Sequence, residues 1–386
     1  MEKNSENWTV PQNPTEGKKK GVIREWLDAL AFALVVATLV RWIFFEPFTI
    51  PTPSMEKSLL VGDFLFVSKL HYGARTPKTV LQMPLTHQKI WGTEIPSYLT
   101  WIQLPQFRLP GFSDVKAGDC LVFNWPADTI YPTDLKTNYI KRCIGVAGDV
   151  LEIKNRQVYI NGKAVKNPEN LQHRYYIAST TSLSEGFFEK LGIASYDDGI
   201  PKFDQNAPIS GMFDQTSGMY VYYLHLTDKA VEKLRGFDFI KKIEIQSFSS
   251  GIPNERVYAF DPANPWNEDN YGPILIPKEG MSIKMDADGI RKYFTTILRY
   301  EGHDKVETRD GKLIVDGKEL AEYTFTQNYY WMMGDNRHNS EDSRFWGFVP
   351  ADHIVGKAWM IWLSIDPKNN FGIDGLRWRR LFNIID

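Results

Sequence analysis

Residues 22–45 hold the longest apolar stretch in the chain, and it fixes where the rest must sit. Positions 29–40 carry no charge, and Thr38 is the one polar side chain among them; Asp28 and Arg41 flank the run. With Trp26, Leu27 and the aromatic end Trp42–Phe45 added, the span reaches about 20 residues, enough for one helical crossing of a bilayer. Trp26 and Trp42 stand where interfacial aromatics belong, and Asp28 and Arg41 are close enough to the ends to snorkel. A cleaved signal peptide would need a small-x-small site after the run, but Arg41-Trp-Ile-Phe-Phe-Glu46-Pro47 follows. The segment therefore reads as an uncleaved transmembrane anchor over 22–45. Lys18, Lys19, Lys20 and Arg24 precede the apolar core, and Lys57 is the first Lys or Arg beyond Arg41. This bias predicts a cytoplasmic N-terminus and an exported remainder. Residues 1–20, rich in Asn, Lys, Glu and Pro, read as a disordered cytoplasmic tail.

The 386 residues allow two domains and a sizeable core. A net charge of −2 supplies no basic field for nucleic acid. Cys120 and Cys143 form no C-x-x-C pair, and each sits in an apolar run, so they read as small core residues. Beyond residue 46 the runs 63–70, 119–125, 138–146, 150–155 and 156–162 mix β-branched and aromatic residues between Gly, Pro and Asn punctuation. They predict strands. Asn161-Gly162 and Asp316-Gly317 each follow an apolar run, which predicts two hairpins. Positions 168–300 are richer in Ser, Thr, Gly, Asp and Asn, with one good short helix at 227–235 that Asp228 favours at its start and Gly236 can stop. The expected organisation is mainly β: the anchor, an antiparallel β-rich catalytic domain formed by 46–167 and 301–386, and an inserted β-rich second domain at 168–300.

Three segments could do chemistry. Ser54 lies in Pro51-Thr52-Pro53-Ser54-Met55, nine positions past Phe45, a reach of roughly 30 Å when extended. A nucleophile there meets only substrates at the membrane surface. Lys141 lies in a strand-like run with Ile140, Cys143 and Ile144. Burial there would lower its pKa by disfavouring the ammonium, which a general base near neutral pH requires. The third is the polar cluster 334–344 between the apolar runs 329–333 and 345–349. Taken singly, Ser54 reads as a turn residue, Lys141 as a strand charge, and 334–344 as a polar loop. His338, in that loop, is not read as the base.

Together these segments resemble the type I signal peptidases, membrane-anchored Ser-Lys proteases of peptidase family S26. The resemblance rests on the anchor and on five elements: Pro51–Met55 with Gly62-Asp63; Ala117-Gly118-Asp119-Cys120; Tyr139-Ile140-Lys141-Arg142 with Gly148-Asp149; Gly334-Asp335-Asn336-Arg337-x-Asn339-Ser340-x-Asp342-Ser343-Arg344; and Phe345-Trp346-Gly347 with Val355-Gly356-Lys357. It implies Ser54 as nucleophile, Lys141 as general base, and Ser340 as the hydroxyl that orients the amine. It also implies an oxyanion hole from the Ser54 amide and the hydroxyl of Thr52, where the family more often has Ser. Asp342 with Arg344, and Asp335 with Arg337, would support the site. The implied reaction is cleavage of signal peptides from exported preproteins after small residues, at the outer face of the cytoplasmic membrane, with no metal or cofactor. Preproteins, membrane lipid and the secretion translocon are the implied partners. A catalytically inactive membrane-anchored scaffold is the alternative. Segment 376–386 interleaves basic and apolar residues, which suits either a packed terminal strand or contact with lipid headgroups.

Overall fold

The computed structural model describes residues 21–193, 212–367 and 375–385. The tail expected at 1–20 lies outside them. The apolar run forms one helix, Val22–Ile43, long and apolar enough to cross a membrane; it is the one such helix among the described residues, and none of its residues is buried in the body. At 1.5 Å per residue its 22 residues measure about 33 Å. Thr38 satisfies its hydroxyl on Leu34 O at 2.8 Å, so it leaves no unpaired donor on an apolar face. The helix end is tied to the body: Arg41 Nη2 donates to Glu46 Oε1 at 2.6 Å and Trp42 Nε1 to Arg75 O at 2.7 Å.

The central sheet has eight strands: β1 (Phe45–Thr49), β2 (Asp63–Ser68), β3 (Cys120–Asn124), β4 (Asn138–Gly145), β5 (Tyr329–Met333), β6 (Val349–Pro350), β7 (Ile354–Ser364) and β8 (Asn383–Ile384). Their order is β1-β2-β7-β3-β4-β5-β6, with β8 also on β7, and every pairing is antiparallel. Chain on both sides of 168–300 therefore builds one sheet. Its two faces are closed by separate apolar clusters, one including Ile50, Met55, Leu65, Cys120 and Ile361, the other Leu121, Phe123, Cys143, Met332 and Trp346. Cys120 and Cys143 are free and buried, on opposite faces of this sheet.

Both Gly-containing turns close hairpins. Asn161 and Gly162 take φ of 51° and 77° between paired Ile160 and Lys163; Asp316 and Gly317 take 49° and 80° between Val315 and Lys318. Left-handed φ at both central positions is what a two-residue turn of this twist requires. Asn155-Arg156 makes the same turn without glycine, at φ 46° and 73°.

The stretch 168–300 divides in its packing. Strands His173–Ser179, Met212–Asp214, Met219–Leu226 and Ile240–Ile245 form a separate sheet. The helix Asp228–Arg235 and the apolar cluster around Ile177, Phe188, Tyr222 and Leu234 belong with it. Thr227 caps that helix by accepting from Ala230 N. The remainder packs elsewhere: strand Tyr271–Leu275 pairs with Val150–Lys154, and Tyr258, Tyr271, Tyr293 and Ile297 share a core with Leu151, Leu313, Trp331 and Phe348. The C-terminal segment is packed: β8 pairs with Met360 and Ile361, and Arg380 Nη2 donates to buried Asp63 at 2.6 Å. Trp378 and Phe382 stay exposed.

Candidate active site

Three pieces of the central sheet meet at Ser54. The turn Pro53–Met55 follows β1, and Pro53 fixes its entry. Ser54 is only 7% exposed. Lys141 lies in the middle of β4, opposite Leu121 of β3. Strand alternation puts Tyr139, Lys141 and Cys143 on one face, so the amine emerges from an apolar wall and is 4% exposed. Lys141 Nζ donates to Ser54 Oγ at 2.6 Å and to Ile140 O at 3.1 Å. Burial, the largest influence, pushes the Lys141 pKa down to about 8; the carboxylates of Asp342, Glu341 and Asp335 pull the other way. Loss of hydration disfavours the ammonium more than three nearby anions favour it.

The loop after β5 presses onto the serine turn. A Cβ at Gly334 would lie 2.3 Å from Ser340 Oγ and 2.5 Å from Ser54 O, so only glycine allows this approach. Asn336 N donates to Ser54 O at 3.1 Å, and Asn336 Nδ2 to Pro53 O at 3.3 Å. Asp335 is fully buried; it accepts from Arg142 Nη2 at 2.7 Å, Arg142 Nε at 2.9 Å and Ser58 Oγ at 2.6 Å. One carboxylate thus joins the lysine strand, the serine turn and the loop. Asp342 is also fully buried and accepts from Arg344 Nε and Nη2, both at 2.8 Å, and from Gly334 N at 3.1 Å. Burial opposes its charge, but Arg344 and these bonds leave its pKa below the ordinary value. Arg344 spends a further donor on Arg337 O at 2.6 Å. Arg337 Nε donates to Gly334 O at 3.2 Å, and its own pKa is pushed down to about 10 by burial and then by Arg344.

Thr52 is exposed and its side chain makes no capping bond. Ser340 Oγ is buried beside the Asp342 carboxyl, whose charge it favours, and makes no hydrogen bond to Lys141. His338 stands apart from the reacting pair: its Nδ1 accepts from Arg174 N at 3.1 Å and its Nε2 lies 2.8 Å from Asp269 Oδ1. With Nδ1 accepting, Nε2 is the nitrogen that donates to Asp269.

Sequence reasoning brings Ser54, Lys141 and 334–344 to one place but misses three contributors. Arg142 carries its signal in its position: one residue after Lys141 it lies on the opposite face of the strand and serves a different partner, Asp335. Asn336 carries no such signal, because an amide in a polar loop has many uses. Gln172 pairs with Asn336 as an isolated parallel bridge, its N–H donating to Asp335 O at 2.9 Å and its carbonyl accepting from Arg337 N at 3.0 Å; nothing in its local sequence marks this contact.

A serine hydroxyl held on a buried lysine amine, within a β-sheet body attached to an apolar helix, matches the class of serine hydrolases that use lysine where others use histidine. The family model for signal peptidase, peptidase S26, matches residues 23–202 and 322–363. The chain belongs to that family, and it is a serine endopeptidase. It is 26% identical to the signal peptidase I of Buchnera aphidicola subsp. Schizaphis graminum, over 93% of this chain and 80% of that protein. It is 26% identical to that of Haemophilus influenzae, over 94% and 75%. Against that of Pseudomonas aeruginosa the identity is 24%, over 91% and 76%.

Proposed function

We propose that Ser54 is the nucleophile and Lys141 the general base of a signal peptidase I reaction on preproteins. The observation that carries this assignment is the 2.6 Å contact between Lys141 Nζ and Ser54 Oγ, with both groups buried. With the amine neutral, the contact reverses and the hydroxyl donates. Lys141 takes that proton as Ser54 Oγ attacks the scissile carbonyl. The oxyanion is held by the Ser54 N–H and the Thr52 hydroxyl, donors aimed where charge develops. Lys141 then gives its proton to the leaving amine as the C–N bond breaks. A water, deprotonated by the same amine, hydrolyses the ester and frees Ser54. Asp335, Arg337, Asp342 and Arg344 keep the 334–344 loop against the serine turn, and Ser340 supplies a hydroxyl to Lys141 once the amine moves off Ser54.

The body lies on the outer face of the cytoplasmic membrane, with the N-terminus inside. The charge bias around 22–45 supports this. Membrane lipid is a further partner of the body itself: Trp91, Trp101, Phe107 and Phe112 are all more than 60% exposed around the hairpin of Thr79–Gln82 and Tyr98–Gln103. Exposed aromatics in one ribbon suit an interface rather than water. The secretion translocon is a natural neighbour, because it delivers the chain to be cut.

The test compares wild type, Ser54→Ala and Lys141→Ala on a preprotein in detergent micelles. Both variants should lose cleavage by several orders of magnitude while still unfolding in one cooperative thermal transition. Cleavage at the wild-type rate by either one refutes the pair.

A further inference from the structure

The separate sheet within 168–300 has one face buried on its own core and one face turned outward. Tyr175, Ile177, Tyr222 and Leu224 point inward. Alternation sends Arg174, Tyr176, Tyr223 and Lys242 to the other face. There they stack into one continuous ladder. The Arg174 guanidinium lies over the Tyr223 ring at 5.4 Å, Tyr223 meets Tyr176 edge-on at 5.7 Å, and Lys242 Nζ lies over Tyr176 at 5.5 Å. Tyr176 and Tyr223 are directly opposite in register, and both are partly exposed.

This face is fixed relative to the reacting pair. Its first strand is entered through Gln172, whose backbone bonds to Asp335 and Arg337. Asn336, between them, donates to Ser54 O. From the other side, Lys57 Nζ donates to Gly192 O at 2.6 Å, three residues past the serine. A cleft of about 510 Å³ is lined by residues of both regions, among them Arg174, Phe248, His338, Ser340 and Phe345. The ladder therefore begins in a cleft that opens beside the 334–340 loop.

We propose that this ladder docks the early mature segment of the preprotein, in extended form, on the far side of the scissile bond. The inference rests on the signal peptidase reading above. The occupant follows from continuity with the site and from geometry. The signal-peptide side of the substrate must return to the membrane, which leaves the face that Gln172 ties to the 334–340 loop to receive what lies beyond the cut. Tyr176 is four residues along the strand from Gln172, roughly 13 Å. An extended substrate covers that distance in about four residues, which puts the segment around four to eight residues after the cut on the two tyrosines. Tyr rings offer large, stiff contact area to varied side chains at small entropic cost, as a site for unfolded segments of many sequences needs.

The experiment uses the full chain in detergent micelles with two substrates sharing one signal sequence, one ending three residues after the cut and one extending twenty. Wild type should show a lower KM for the longer substrate. The double variant Tyr176→Ser, Tyr223→Ser should raise the KM of the longer substrate about tenfold and leave its kcat, and both constants for the shorter one, unchanged. The double variant Tyr176→Phe, Tyr223→Phe should retain the wild-type KM. Equal losses on both substrates would mean that the sheet acts through the 334–340 loop, and would overturn docking. So would an unchanged KM in the Ser variant, or no preference for length in wild type. If wild type cleaves neither substrate while remaining folded, the signal peptidase assignment of Ser54 and Lys141 falls first and docking falls with it.

Discussion

The strongest quantitative consequence of the site lies in its pH dependence. Lys141 can accept the Ser54 proton only as the neutral amine, and burial brings its pKa to about 8 from 10.5. That displacement corresponds to about 3 kcal/mol against the ammonium. At pH 7 about one molecule in ten then carries the neutral base, and at pH 9 about nine in ten. The rate constant kcat/KM for the full chain in micelles should rise about tenfold per pH unit on the acid side and bend near pH 8. Glu341 provides a directed perturbation. Its carboxylate raises the Lys141 pKa, yet its side chain is 57% exposed and pairs with exposed Arg256 at 3.4 Å. Glu341→Gln should move the bend to lower pH by about 0.3, and 1 M salt should erase most of the difference. The assay is kcat/KM between pH 6 and pH 10 for both proteins at low and high salt. A flat profile, a bend below pH 6.5, or movement of the bend to higher pH in Glu341→Gln would refute Lys141 as the base.

Other expectations follow from the same geometry. Lys141→Met should abolish cleavage but stabilise the fold at pH 7, by up to about 3 kcal/mol. The folded pKa lies below the unfolded one, so the penalty on the wild type is full below about pH 8 and vanishes above 10.5; denaturant melts at pH 7 and pH 10.5 check it. Thr52→Val should lower kcat about a hundredfold with little change in KM, and Thr52→Ser should restore it, as expected of an oxyanion donor. Asp342→Ala removes the buried partner of Arg344 and should cost about 3–5 kcal/mol in equilibrium unfolding. Gly334→Ala must displace either Ser340 or the backbone of Ser54 and should reduce kcat by about a hundredfold or more.

The parts of this molecule that were legible in its sequence are those that chemistry fixes locally. The anchor announces itself by length and apolarity, and the Asn161-Gly162 and Asp316-Gly317 turns by residue types that take left-handed φ at little cost. Ser54, Lys141 and the 334–344 cluster were readable as a set through their combined motif, although each alone resembles an ordinary turn, strand or loop. What was not legible depends on pairing across long separations. Strand Tyr271–Leu275 has the composition of its surroundings, yet its partner is Val150–Lys154, and no local signal divides 168–300 where the packing divides it. Gln172 reaches the loop through its main chain alone, and main-chain contacts leave no mark on side-chain choice. Ser340 differs in another way: the motif implies a hydroxyl on the lysine, whereas here Lys141 directs its hydrogen bonds to Ser54 and Ile140 O.

The topology lets the chain between β4 and β5 reach the candidate site without disturbing the sheet. These strands are antiparallel neighbours, with Gly145 opposite Trp331. The chain leaves the sheet at Gly145 and returns at Tyr329 on the same edge, so the added residues between them break no ladder bond. Gly145 is four residues from Lys141, roughly 13 Å along the strand. Anything built into that crossing starts close to the amine. The return contact at Gln172 then brings the separate sheet back onto Asp335 and Arg337, the same loop that Arg142 holds from β4. The 334–344 loop is thus gripped from two sides: by an ion pair from β4, and by a backbone bridge from Gln172. Substitutions that loosen the insertion should act on kcat through the loop, whereas substitutions on its outward face should act on KM through the substrate.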